Sequence, residues 1–99
     1  MLNKLIASLV RYLRQFYTDI DIEYWLNSEG NFIGKNGKAV TMDTALLDCI
    51  HICQKHGIYS ANDYLPQFRK LMNKREKGSV FISEGGVHYT VNIDYIRID

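Results

Sequence analysis

Cys49, His51, Cys53 and His56 fall within eight residues of a stretch with helical periodicity, and side chains of these types are the ones that ligate zinc. At about 100° per residue, positions 49, 53 and 56 share one stripe of a helix while His51 points away from it. A closed zinc site takes four ligands, so only three would converge. The same stripe carries Met42, Ala45, Leu46 and Ile52, which makes it a packing face. The expectation is therefore two core cysteines behaving as small hydrophobes, with no metal. A nucleophilic Cys–His pair would need an exposed thiolate and a third orienting group, and no residue in the sequence supplies one. Two cysteines four residues apart on one helix are also badly placed to bridge each other, which suits a reducing compartment.

Asp19, Asp21 and Glu23 alternate along a stretch of period two, so their carboxylates share one face of a strand. Such a row could hold Mg²⁺, but no partner acid, base or phosphate-binding loop accompanies it, and Tyr24 stands where a calcium loop turns on glycine. The simpler reading is the solvated face of an edge strand, guarded from aggregation by charge. There is no glycine-rich loop opening a helix, no nucleophile elbow and no spacing that suggests a catalytic triad. The chain is expected to be neither an enzyme nor a cofactor carrier.

A basic cluster, Arg69, Lys70, Lys74, Arg75 and Lys77, is opposed only by Glu76. Cations at a helix C-terminus complement its dipole, and they also suit phosphate or an acidic protein surface. The formal net charge of +1 argues against affinity gained by coating phosphates broadly.

The elements that must carry these residues follow from periodicity. Leu2, Leu5, Ile6, Leu9, Leu13, Phe16 and Tyr17, with Val10 beside them, make an amphipathic helix whose polar side holds Lys4, Arg11, Arg14 and Gln15. A membrane-surface role would fit that pattern. In a chain of 99 residues the more economical expectation is that the stripe packs on the domain's own core. Its apolar run is too short for a signal peptide or a membrane span, and a cytoplasmic location is expected. Residues 19–40 read as a small antiparallel meander: a strand over 19–26, a turn at Ser28–Asn31, a short strand at Phe32–Ile33, an Asn36–Gly37 hairpin turn and a short third strand.

Thr41 caps a helix that Gly57 ends, and a second helix begins at Asn62 or Asp63, so that Pro66 falls in its first turn. Its apolar stripe is Tyr64, Leu65, Phe68, Leu71 and Met72, and Gly78 closes it. Ser60 with Asp63 has the spacing of a capping box. Strands over 79–83 and 87–98 flank the turn Glu84–Gly86, with a bulge or change of packing partner near Tyr95, where the apolar phase slips. The fold class is thus α+β: one domain over 1–99, order α-β(ββ)-α-α-β-β, a central helical hairpin packed with antiparallel hairpins.

That order resembles the winged helix-turn-helix, in residues 41–98, through Gly57 in the turn, Ile58 after it and Ser60 at the cap. The resemblance implies a DNA-binding regulator in which Asn62, Tyr64, Gln67 and Arg69 approach bases and Lys70, Lys74 and Arg75 meet phosphates. Asp63, Pro66, and a would-be wing that carries Glu84 and no Lys or Arg at its tip speak against it. The favoured reading is a small protein-binding module, an inhibitor or adaptor of the kind common among phage and mobile-element proteins. Trp25 and Tyr59 would be its aromatic anchors, and Arg69, Lys70, Lys74 and Arg75 its charged contacts. The expected partner is a protein, with DNA as the alternative, no membrane, and room for a homodimer.

Overall fold

A computed structural model describes residues 2–14 and 16–98. The chain begins with α1 (Leu2–Arg14), followed by β1 (Tyr17–Leu26), β2 (Phe32–Ile33) and β3 (Ala39–Val40). Two helices come next, α2 (Met42–Lys55) and α3 (Leu65–Lys74), the latter entered through a single 3₁₀ turn at Ala61–Tyr64. The strands β4 (Gly78–Glu84) and β5 (Val87–Arg97) complete it. The α+β order expected from the sequence is the order observed.

The sheet differs from the expected antiparallel hairpins. All five strands form one mixed sheet in the order β3-β2-β1-β5-β4. Its centre is a parallel pair, β1 against β5, running in unbroken register from Tyr17↔His88 to Leu26↔Arg97. A parallel pair requires a long crossover, and everything from β2 to β4 supplies it. The register passes through Tyr24↔Tyr95 and Trp25↔Ile96 without a bulge, so the slip in apolar phase has another cause. Ile96 lies on the solvent face of the sheet beside Trp25, and both are exposed.

Helices α2 and α3 cover the other face. Ile20, Ile22 and Leu26 of β1, Val80 and Ile82 of β4, and Tyr89, Val91 and Ile93 of β5 meet Leu46, Cys49, Ile50, Cys53, Phe68 and Met72 in one buried cluster. The strand residues alternate, which is why one face of the sheet is dry and the other wet.

The helix ends obey local chemistry. Thr41 Oγ1 accepts the Thr44 N–H at 3.1 Å, the expected N-cap. Gly57 takes φ +103° and the Ile58 N–H closes onto Cys53 O, a Schellman-type stop. Ser60 makes no side-chain cap; its own N–H instead donates to Glu84 Oε1. Helix α3 starts at Leu65, two or three residues later than expected, with Pro66 in the first turn. It ends at Lys74, with Arg75 as its C-cap, before Gly78. Asn36–Gly37 is not a two-residue hairpin turn: only Gly37 has positive φ, and the loop spans residues 34–38 between the paired Ile33 and Ala39. The two-residue turn is at Gly85–Gly86, where both residues have positive φ, as a type I′ turn demands.

Helix α1 departs most from expectation. It ends at Arg14, and Tyr17 already belongs to β1. Its stripe does not pack on the core: Leu5 is 68% and Leu9 57% exposed, and Ile6, Val10 and Tyr12 are exposed as well. The core described above is complete without it. Gln15, and the side chains of Leu2, Leu13 and Arg14, lie outside the described residues.

Candidate functional site

The wet face of the sheet and the flank of β1 hold the most unusual surface. Trp25 stands at the end of β1, 40% exposed, beside Ile96; Phe81 of β4 is 73% exposed on the same face. Between these apolar residues lies the polar row foreseen in the sequence. Asn92 Nδ2 donates to Asp21 Oδ1 at 2.9 Å, Ser79 Oγ donates to Asn92 Oδ1, and Lys77 Nζ lies 3.7 Å from Asp94 Oδ2. At the opposite end Tyr17 stacks on His88, ring centroids 5.1 Å apart.

The edge of β1 away from β5 is open over most of its length. Strand β2 pairs with it only at Trp25 and Leu26, then Gly34 turns the chain away toward β3. Below that edge is a cleft of about 640 Å³ whose far wall is α2, and Trp25 lines its mouth. Thr44, Asp48, Ile52 and Lys55, three or four residues apart, present one side of the helix to it. Val40, Phe32 and Ile33 close one end. Nothing in the sequence singled out this wall, because it exists only once α2 lies beside β1.

The residues expected to bind are not gathered into one site. Tyr59 is 78% exposed in the turn after α2. The adjoining Ser60 is tied to Glu84 at the β4–β5 turn, whereas Trp25 pairs with Ile96. Nine strand residues separate the two ends of β5, about 30 Å at the usual rise. Arg69 Nη1 sits 3.1 Å from Asp43 Oδ1 in an exposed ion pair. Arg75 turns inward: its Nε donates to Gly30 O at 3.1 Å and its guanidinium lies 4.8 Å over the Phe32 ring. Lys70 and Lys74 are exposed along α3. Of the residues assigned to bases under the DNA reading, Asn62 and Gln67 are exposed and Tyr64 is half-buried.

The thiols are packing groups. Cys49 and Cys53 are fully buried, His56 is the exposed C-cap of α2, and His51 faces solvent. The neighbouring Cys53 thiol, together with burial, pushes the Cys49 thiol well up. No three His, Cys, Asp or Glu side chains among the described residues come together as a metal would require. Burial raises the Tyr24 phenol, with Cys49 adding to the effect, and its Oη donates to Ala45 O at 3.2 Å. Burial pushes Tyr95 up to about 12, with Arg75 opposing. No helix among the described residues is long and apolar enough to cross a membrane.

Compared with known protein families, curated proteins and solved structures, the chain matches none. The winged-helix resemblance does not extend to the sheet, whose centre is the parallel β1–β5 pair.

Proposed function

We propose that the protein is a small, non-enzymatic protein-binding module that acts as an inhibitor or adaptor by occupying a surface of its partner. One observation carries this reading: α1 keeps an apolar stripe, Leu5, Ile6, Leu9 and Tyr12, that none of the described residues covers. Thirteen helical residues extend about 20 Å. An apolar stripe of that length at three- and four-residue spacing is what a groove on another protein accepts. Lys4 and Arg11 on the polar side would then face the rim or solvent. Leaving such a stripe in water is unfavourable by roughly 25 cal/mol per Å², so a partner gains most of its affinity there. Trp25, Phe81 and Ile96 on the sheet offer a second apolar contact.

DNA binding is the rival. It draws on Lys70 and Lys74, while Arg69 and Arg75 are engaged within the chain. A tagged pull-down from the source cell, with and without nuclease, separates the two. We expect a discrete protein that survives nuclease and is lost from the Leu5→Glu/Leu9→Glu variant. Recovery that vanishes with nuclease, and likewise with Lys70→Glu/Lys74→Glu, would replace this reading with nucleic-acid binding.

A further inference from the structure

We propose that the open edge of β1 is a strand-addition site, where an extended segment of a partner protein, alternating apolar and basic residues, pairs over residues 17–23 and lies in the cleft beside α2. The inference rests on the protein-binding reading and specifies a second contact for it.

The backbone sets the first requirement. Along a strand, each residue directs its N–H and C=O to one side, and successive residues alternate. Phe16 O and Leu26 O accept from His88 and Ile98, on the β5 side, while the Asn27 N–H donates to Asn31 O on the β2 side. Even-numbered residues of β1 therefore face β5, and odd-numbered ones face the other edge. Trp25 is matched there by Ile33, but among the described residues Tyr17, Asp19, Asp21 and Glu23 have no strand beside them on that edge. Four consecutive pairs of donors and acceptors, spanning about 20 Å, are free for another backbone.

The side chains set the second. On the solvent face, Asp19, Asp21 and Glu23 would stand next to every other residue of an added strand and favour Lys or Arg there. On the inner face, the part of the added strand beside Asp21 and Glu23 enters the cleft lined by Ile52, Val40, Ile33 and Lys55, which favours Val, Ile or Leu. The chain's own edges do not satisfy this. A second β1 would bring its acids against these acids, and β4 offers Ser79, Phe81 and Ser83 but no cation. The occupant is thus a different protein.

The test uses the full chain and a capped peptide, acetyl-KVKIKVK-amide, followed by amide NMR and hydrogen exchange. Binding should slow exchange at Asp19, Asp21 and Glu23 and leave Ile20 and Ile22, already bonded to β5, unchanged. N-methylating either the Lys set or the Val/Ile set should weaken binding at least tenfold, and methylating the other should not. Loss with the Lys set means antiparallel addition, and loss with the Val/Ile set means parallel addition. Asp19→Lys/Glu23→Lys, both exposed, should shift preference to acetyl-EVEIEVE-amide. No binding at about millimolar peptide, equal effects of both methylated sets, or shifts confined to α1 would overturn strand addition. The pull-down of the α1 variant would still stand as the separate test of protein binding.

Discussion

Arg75 is where the structure makes its sharpest energetic demand. It is the single non-glycine residue at positive φ among those described, at φ 52° and ψ 38°. It occupies the left-handed position that ends α3, where its N–H meets Leu71 O and Met72 O. Glycine is usual there, since a Cβ in that conformation costs roughly 1–2 kcal/mol. Its side chain offsets the cost. The guanidinium covers Phe32, which is 2% exposed, and Nε holds Gly30 O in the β1–β2 turn. A half-shielded cation–π contact contributes about 1 kcal/mol and a charged hydrogen bond to a carbonyl about 1.5 kcal/mol.

Arg75→Ala keeps the strained backbone and loses the contacts to Phe32 and Gly30 O, with an exposed hydrogen bond to Asn73 O, so stability should fall by about 2 kcal/mol. Arg75→Gly loses the same contacts but relieves the Cβ clash, and should fall by only about 1 kcal/mol. For a domain of this size that is a Tm lower by about 10 °C for Ala and about 5 °C for Gly. Arg75→Lys, which retains charge but not the planar fork, should lie between wild type and Ala. Urea unfolding with a constant m-value reads all three. If Gly is no more stable than Ala, the left-handed strain is not felt. If Ala matches wild type, the clamp onto Gly30 and Phe32 contributes nothing.

Alkaline pH should destabilise the fold. Tyr24 and Tyr95 have phenols raised above the ordinary value near 10. Their contribution is complete below pH 10 and is lost as pH rises above it, on top of an earlier loss from the raised Cys49 thiol, so urea midpoints should fall more steeply above pH 10 than below it. Tyr95→Phe should flatten part of that drop, and an unchanged slope would show that Tyr95 is not involved. Gly57→Ala should cost more than about 1 kcal/mol in thermal unfolding, because φ is +103° and the new Cβ would sit 3.0 Å from Tyr89 Oη. Leu9→Glu should change stability by less than about 0.5 kcal/mol, whereas Phe68→Ala should cost about 3–5 kcal/mol. Comparable losses would mean that α1 is part of the core after all.

Much of this fold was legible because its rules are local. Thr41, Gly57 and Gly85–Gly86 act through their own backbone geometry, and the buried residues of α2 and β5 announce themselves by period. The stripes on α1 and α2 looked alike in the sequence, yet one is exposed and the other buried. Periodicity reports that a face is apolar, and only the count of faces already covering the core decides whether it is needed. Here two helices against one face of five strands suffice. The candidate site was less legible still. Arg75 was read as a surface cation because its αL backbone, which aims the side chain at Phe32, leaves no mark in composition.

The parallel pairing of β1 with β5 lay beyond local reasoning for a physical reason, and it also explains the open edge. A strand of ten residues placed second in the chain invites pairing with the hairpin that follows it. Yet β2 offers only two residues before Gly34 turns away, so most of the hydrogen-bonding capacity of β1 must go elsewhere. One side is satisfied by an eleven-residue strand from the far end of the chain. The meander is too short to satisfy the other. The first and last strands of the chain thus meet at the centre of the sheet, and the row of carboxylates that shields an edge from indiscriminate pairing lies on the strand whose edge is left free. The same charges that oppose pairing of this edge with its own copy are those that, in the proposed strand addition, favour a basic neighbour.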